Sequence, residues 1–195
     1  MTGEFCPSIL PEDPAPDVVL NCELCGLYRH GQRVIWGEGN PNAPVFLLLD
    51  NPGARETKEG GEFLCETRET LQQGMYEAGL AIDQVYVTYV LKRRPIRAYD
   101  KPHARTACMS HLKYQLEQQK PKILFGFGNV VVQQLFPDQD ADVKSLRGSW
   151  HDYEGIPFAC SYHPLAVRRR PVLMKAFVED LSLVEERVKS LGESV

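Results

Sequence analysis

The sequence predicts an α/β fold, a parallel β-sheet covered by helices on both faces. Two observations carry that expectation. Short, continuous apolar runs, VFLLL at 45–49 and ILFGF at 123–127, have the character of strands buried on both sides. They alternate with longer stretches of helical composition, an order that demands crossover connections between parallel strands. At 195 residues, with 43% hydrophobic and 25% charged residues, the chain suits one soluble domain. No apolar run reaches the ~18–20 residues of a membrane span. The start, with Glu4, Glu12, Asp13 and Asp17 among prolines, is unlike a targeting peptide, so a cytoplasmic protein is expected.

Residues 1–20 read as an acidic, Pro-rich arm, and 21–195 as a single domain. Residues 37–45, GEGNPNAPV, read as a loop entering the first strand, 45–49, which ends in the turn sequence Asn51-Pro52-Gly53. A helix is expected over 67–78 with Gly79 as its stop, and a second strand ends at Leu91. Residues 92–102 form a basic, Pro-punctuated loop, and 106–119 a helix. The third strand, 123–127, leads through Gly128 into a helix at 130–135. A hairpin then feeds a fourth strand near 157–162, and an amphipathic helix covers 172–190.

Functional groups in such sheets gather beyond the carboxyl ends of the strands. Three loops qualify: Asp50 to Glu56, the segment following Lys92, and the segment following His163. Lys92, Arg93, Arg94 and Arg97 on one, with Arg168, Arg169 and Arg170 on another, would form a cationic rim on a chain of net charge −4. Such a rim suits a phosphate backbone. Six cysteines in a reducing compartment are not expected to pair as disulfides. The Cys22-x-x-Cys25 pair follows no strand, which suits a metal or cluster site better than a thioredoxin-like redox pair.

Several ordered features resemble the uracil-DNA glycosylase superfamily, nearest its iron–sulfur (family 4) branch. They are Cys22-x-x-Cys25, then VIWGEGNP at 34–41, a strand ending before Pro52-Gly53, and Gly60-x-x-Phe63-Leu64. VYVTYVLKRRP at 85–95, a lone Cys108, PKILFGFG at 121–128, Arg147-Gly148-x-Trp150 and Tyr162-His163-Pro164 complete the set. The resemblance implies a three-layer α/β/α domain with a four-stranded parallel sheet. It also implies a monofunctional glycosylase that hydrolyses the N-glycosidic bond of a deaminated base, uracil first, in base excision repair. The alternative is a catalytically weak or inactive DNA-binding member of the same fold. A monomer is expected.

Carried over position by position, the resemblance makes Asn51 the residue that orients the attacking water. Asp50 either adds negative potential beneath the sugar cation or acts as the base. His163 donates to the departing base. Gly53, Glu56, Phe63 and Tyr89 would contact the flipped nucleotide, with Phe63 stacking on its base. Leu165, together with Ala166 and Val167, would fill the gap left in the duplex, while Lys92, Arg94 and Arg168–Arg170 hold phosphates. Three positions depart from the pattern: Leu49-Asp50 stands in place of Gly-Glu, Tyr89 in place of a base-reading Asn, and Arg93 in place of a cluster Cys. A 4Fe-4S cluster would therefore keep Cys22, Cys25 and Cys108, with Cys6 as fourth ligand. Zinc on three cysteines plus His30 or His103 is the other metal option, and packed thiols the third.

Overall fold

The computed structural model describes residues 5–54, 64–137 and 140–192. Its centre is a mixed sheet of seven strands among the described residues: β1 (Glu12–Asp13), β2 (Gly37–Gly39), β3 (Val45–Leu49), β4 (Val85–Tyr89), β5 (Ile123–Phe127), β6 (His151–Tyr153) and β7 (Ile156–Ser161). Their order across the sheet is β1-β2-β4-β3-β5-β7-β6. The four central strands, β4-β3-β5-β7, are mutually parallel, as the alternating sequence demands. The sheet is wider than expected, because antiparallel strands extend both edges.

The extra edge strands explain two differences from the sequence reading. Residues 37–39 were expected in a loop, since Gly-Glu-Gly lacks strand-forming side chains. Gly37 is admitted to the sheet because the hydroxyl end of the Tyr86 ring lies where its Cβ would stand. The acidic arm, in turn, docks: β1 pairs with β2, and Ser8 exchanges two 2.7 Å hydrogen bonds with the Gln72 side chain.

Among the described residues are seven α-helices, the last two following the final strand: α1 (Asp17–Leu20), α2 (Glu66–Ala78), α3 (Lys101–Gln119), α4 (Asn129–Leu135), α5 (Val143–Leu146), α6 (Pro164–Arg169) and α7 (Met174–Gly192). Helix α3 begins five residues earlier than its apolar pattern suggests. Asp100 caps it by accepting from the His103 N–H at 3.0 Å, and Pro102 sits in the first turn, where it sacrifices no helical bond. Gly79 ends α2 with a left-handed φ of 77°.

The two faces of the sheet carry separate cores. Leu71 and Met75 of α2 and Phe177, Leu181 and Val184 of α7 cover one face; Leu112 and Leu116 of α3 and Val131 and Val132 of α4 cover the other. All described residues of β3, β4 and β5 are buried, which is why those strands read as unbroken apolar runs. No helix among the described residues is long and apolar enough to cross a membrane.

One polar tie fixes α7 to the end of β7. Asp180, 1% exposed, accepts from Ser161 Oγ at 2.6 Å and from Arg147 Nε at 2.9 Å. Burial nonetheless pushes its carboxyl above the ordinary carboxylate range. Removing this buried acceptor leaves Ser161 Oγ and Arg147 Nε without their partner, so Asp180→Ala should lower unfolding free energy by about 1.5–3 kcal/mol in urea titration. A loss under ~1 kcal/mol, the size of a surface pair, would contradict the assignment.

Candidate active site

The site forms where β3 and β7 end on either side of β5. Asp50 and His163 each stand one or two residues beyond a strand end, and their side chains meet with His163 Nε2 3.4 Å from Asp50 Oδ1. His163 also caps α6, its Nδ1 accepting from the Leu165 N–H at 3.1 Å. A ring nitrogen that accepts carries no proton, so the neutral imidazole has its hydrogen on Nε2, directed at the carboxylate. Gly128, at the end of β5, makes this meeting possible. It has a φ of 85°, and a Cβ there would stand 3.1 Å from that of His163.

Asp50 is set up to be charged. Burial opposes its ionisation, but the hydrogen bond from His163 and its electrostatic attraction outweigh it, with help from the backbone N–H groups of Asn51 and of Asp50 itself. The carboxyl consequently lies below its ordinary value of 3.8. The Asn51 N–H donates to Asp50 Oδ1 at 2.8 Å, and Asn51 Nδ2 donates to the Pro52 carbonyl at 2.9 Å.

The Asp50–His163 pair, with Leu165, separates two hollows. On one side is a chamber of about 400 Å³, lined by Asn51, Gly53, Cys65, Arg68 and Tyr89 as well as the pair. On the other is a groove of about 510 Å³, lined by Gly128, Asn129, Ala166, Arg169 and Arg170. Asn51, Asp50, His163, Gly53, Tyr89 and Leu165 therefore come together, as the sequence predicts. Glu56 and Phe63 lie outside the described residues. Val167 is not at the surface: it is 1% exposed and packs in the core, leaving Leu165 and Ala166 at the rim.

The cationic rim is narrower than expected. Lys92 is 2% exposed, its Nζ donating to Thr88 Oγ1 and Gln115 Oε1, both at 2.6 Å. It cannot hold a phosphate from there. Burial also lowers its pKa to about 7. Arg93 donates to the carbonyls of Gln32 at 2.7 Å and Leu20 at 2.6 Å, and Arg97 donates to that of Arg29. The loop after β4 thus spends these two arginines on the 20–32 segment. Arg94 is half-buried. Arg168 pairs with Glu66 at the start of α2, while Arg169 and Arg170 line the groove.

Arg68 of the chamber, and Glu38 bonded to it, were given no role in the sequence reading. Arg68, 4% exposed on α2, donates to both Glu38 of β2 and Tyr89 Oη, and its guanidinium carbon lies 5.6 Å from the centre of the Tyr89 ring. Tyr89 Oη in turn donates to Glu38 Oε1 at 3.2 Å. Arg68 and Glu38 stand thirty positions apart on α2 and β2, and only the fold brings them together.

The expected metal site does not assemble. Cys25 and Cys108 are neighbours within a small satellite core with Leu27, Leu91 and Ala104. Their mutual hydrogen bond is the main reason the Cys25 thiol is lowered to about 6. Cys6, proposed as fourth ligand, lies instead against α2 beside Gln72 and Tyr76. The two histidines considered for zinc are occupied by backbone: His30 Nδ1 accepts from the Ile96 N–H at 3.2 Å, and His103 Nε2 lies 3.0 Å from the Leu24 carbonyl. Among the described residues no three His, Cys, Asp or Glu side chains converge on one point. A four-thiolate cluster does not fit this donor set, because a guanidinium tied to two carbonyls stands where a thiolate is required.

Four parallel central strands carry an acid–imidazole pair at their carboxyl ends, between two hollows, which is where open α/β sheets hold their ligands. The comparisons name the family. A model described as the uracil DNA glycosylase superfamily matches residues 36–182. The type-4 uracil-DNA glycosylase of Sulfurisphaera tokodaii is 32% identical over 86% of this chain and 80% of its own length. That of Saccharolobus solfataricus is 28% identical over 91% and 87%, and that of Thermotoga maritima 26% identical over 89% and 93%. The chain belongs to the uracil DNA glycosylase superfamily.

Restoring the missing thiol tests the reading of the cysteine region. Arg93→Cys, purified anaerobically, should hold more iron per chain than the parent and turn brown. Equal iron in the two proteins, near four atoms per chain, would show that this sequence builds a cluster from other ligands.

Proposed function

We propose that this protein is a DNA glycosylase that hydrolyses the N-glycosidic bond of uracil in DNA, with the Asp50–His163 pair at the reacting centre. The observation that carries the reading is the shared wall: the same two side chains face a chamber of base size and a groove with two arginines. The family and the type-4 uracil-DNA glycosylases among its relatives supply the reaction class.

Cleavage of the bond leaves positive charge on the sugar and negative charge on the departing base, so a catalyst must place opposite charge near each. Asp50 supplies the negative charge, since its carboxyl is held ionised, and it sits beneath the sugar at the chamber mouth. His163 supplies the donor: its Nε2–H turns from Asp50 to a carbonyl oxygen of the base as negative charge builds there. The attacking water donates to the Asn51 side-chain oxygen, because the amide nitrogen is engaged by Pro52. Asn cannot take a proton at neutral pH, so Asn51 orients the water, and Asp50 is the group placed to accept the proton. Leu165 fills the space vacated by the flipped nucleotide, and Arg169 and Arg170 hold the adjoining phosphates in the groove.

Single-turnover release of uracil from a labelled oligonucleotide tests the assignment. Asp50→Asn and His163→Ala should each slow release at least ~100-fold while DNA affinity stays close to the parent's. Binding without release by the parent protein would instead support the catalytically inactive alternative.

Arg169→Ala/Arg170→Ala should behave in the opposite sense. Affinity should fall on any sequence, and the slope of log affinity against log salt should flatten by about 2, one unit for each lost phosphate contact. An unchanged slope would remove these arginines from the DNA interface.

A further inference from the structure

The Cys25 and Cys108 thiols are hydrogen-bonded to one another in the satellite core, although they stand far apart in the chain. Three features bring them together. His103 Nε2, on α3, lies 3.0 Å from the Leu24 carbonyl; Arg93 donates to the Leu20 and Gln32 carbonyls on either side of Cys25; and Gly26, left-handed at a φ of 73°, turns the chain just after it. Cys108 is on the same helix as His103 and is 3% exposed. Cys25 is partly exposed and borders a hollow of about 510 Å³ together with His30, Tyr99 and His103. Among the described residues no third His, Cys, Asp or Glu converges with the two as a metal ligand. Two thiols without a third donor are too few for a cluster or for tetrahedral zinc, but they are the full set for a disulfide.

We infer that Cys25 and Cys108 are a redox modification site, forming under peroxide a reversible disulfide that staples the 20–32 segment to α3. The inference is independent of the glycosylase reading, since neither cysteine lines the chamber or the groove. Attack of the Cys25 sulfur on hydrogen peroxide breaks the O–O bond and leaves Cys25 as a sulfenic acid; the released hydroxide takes the Cys25 thiol proton and departs as water. Cys108 Sγ then attacks the Cys25 sulfur. The S–S bond forms, the S–O bond breaks, and the leaving hydroxide takes the Cys108 proton as a second water. Each sulfur gives up one electron and the peroxide gains two. A dithiol reductant reverses the bond and becomes a disulfide itself. The partner thiol is already in contact, so the sulfenic acid is captured before a second peroxide reaches it. The bond closes a long loop of the unfolded chain while joining groups that the folded chain already holds together, and so it stabilises the fold.

The full-length protein, assayed for iron and then treated with a few equivalents of hydrogen peroxide, tests the inference. Two of its six thiols should become unreactive to iodoacetamide, and peptide mapping without reductant should join Cys25 to Cys108. Dithiothreitol should restore both thiols. Tm should rise by at least ~5 °C on oxidation and fall back on reduction, the scale expected for closing so long a loop. Cys25→Ser and Cys108→Ala should each lose the bridge and the rise in Tm, whereas Cys22→Ser should keep both. Cys25→Ser, at a partly exposed position, carries the test alone if the buried Cys108→Ala does not fold. Iron near four atoms per chain before oxidation would mean that both thiols are already ligands, and it overturns the inference. So does a Cys22–Cys25 bridge in place of this one, oxidation of Cys25 to the sulfinic acid with Cys108 still free, or a Cys25–Cys108 bridge that leaves Tm unchanged.

Discussion

The site depends on one contact made across an intervening strand. Neighbouring strands lie about 4.8 Å apart, so the ends of β3 and β7 are separated by roughly 10 Å, with β5 between them. A carboxylate and an imidazole bridge that gap only if nothing rises from the end of β5. Gly128 satisfies the condition, and its left-handed backbone turns the chain away into α4 at the same point. With the bridge in place the space above the sheet is divided, and the chamber and groove take different shapes and charges. The Asp180 tie beneath Ser161 holds β7 at the height where His163 reaches Asp50.

The division also decides where cations are of use. A chain of net charge −4 has few to spare, and the arginines after β4 are turned to structural work. Arg93 and Arg97 donate to carbonyls of the 20–32 segment, which has little secondary structure of its own to satisfy them. The positive charge lining the groove then comes from α6, immediately after His163. In the proposed reading, phosphate binding and base activation are carried on one short stretch of chain, so any shift in α6 would be felt by both.

How much of this was legible follows from what each residue does locally. The parallel strands were legible because burial on both faces leaves an unbroken apolar run, and 45–49 and 123–127 have the bounds of β3 and β5. Strand β2 was not, because Gly-Glu-Gly enters the sheet by making room for Tyr86, a property of a partner distant in sequence. Asp50, Asn51 and His163 were legible through turn and strand-end positions joined to ordered motifs. Lys92 was misread for a general reason: a lysine in a basic loop is normally solvated. Here Thr88, Gln115 and the Trp36 carbonyl, from three separate segments, replace its water. The pairing of Arg68 with Glu38 was hidden because it joins α2 to β2, thirty positions apart in sequence.

The three departures from the family pattern are therefore not equivalent. Arg93 lies beside the satellite core of Leu27, Leu91, Ala104 and Cys108, which is distinct from the two cores that flank the sheet. Replacing a cluster ligand there substitutes one means of tying the 20–32 segment to the domain for another, and it touches neither hollow of the active site. Tyr89 and Asp50 line the chamber, where, in the proposed reading, a change alters what the base and sugar meet. Tyr89 is accompanied by Arg68 and Glu38, and their hydrogen bonds account for the hydroxyl group that a buried tyrosine introduces. Asp50 is accompanied by His163 and the Asn51 N–H, which account for its charge. A decaying site accumulates buried polar groups without partners, whereas here each substituted side chain arrives with its partners in place. That pattern argues for a chamber rebuilt to bind.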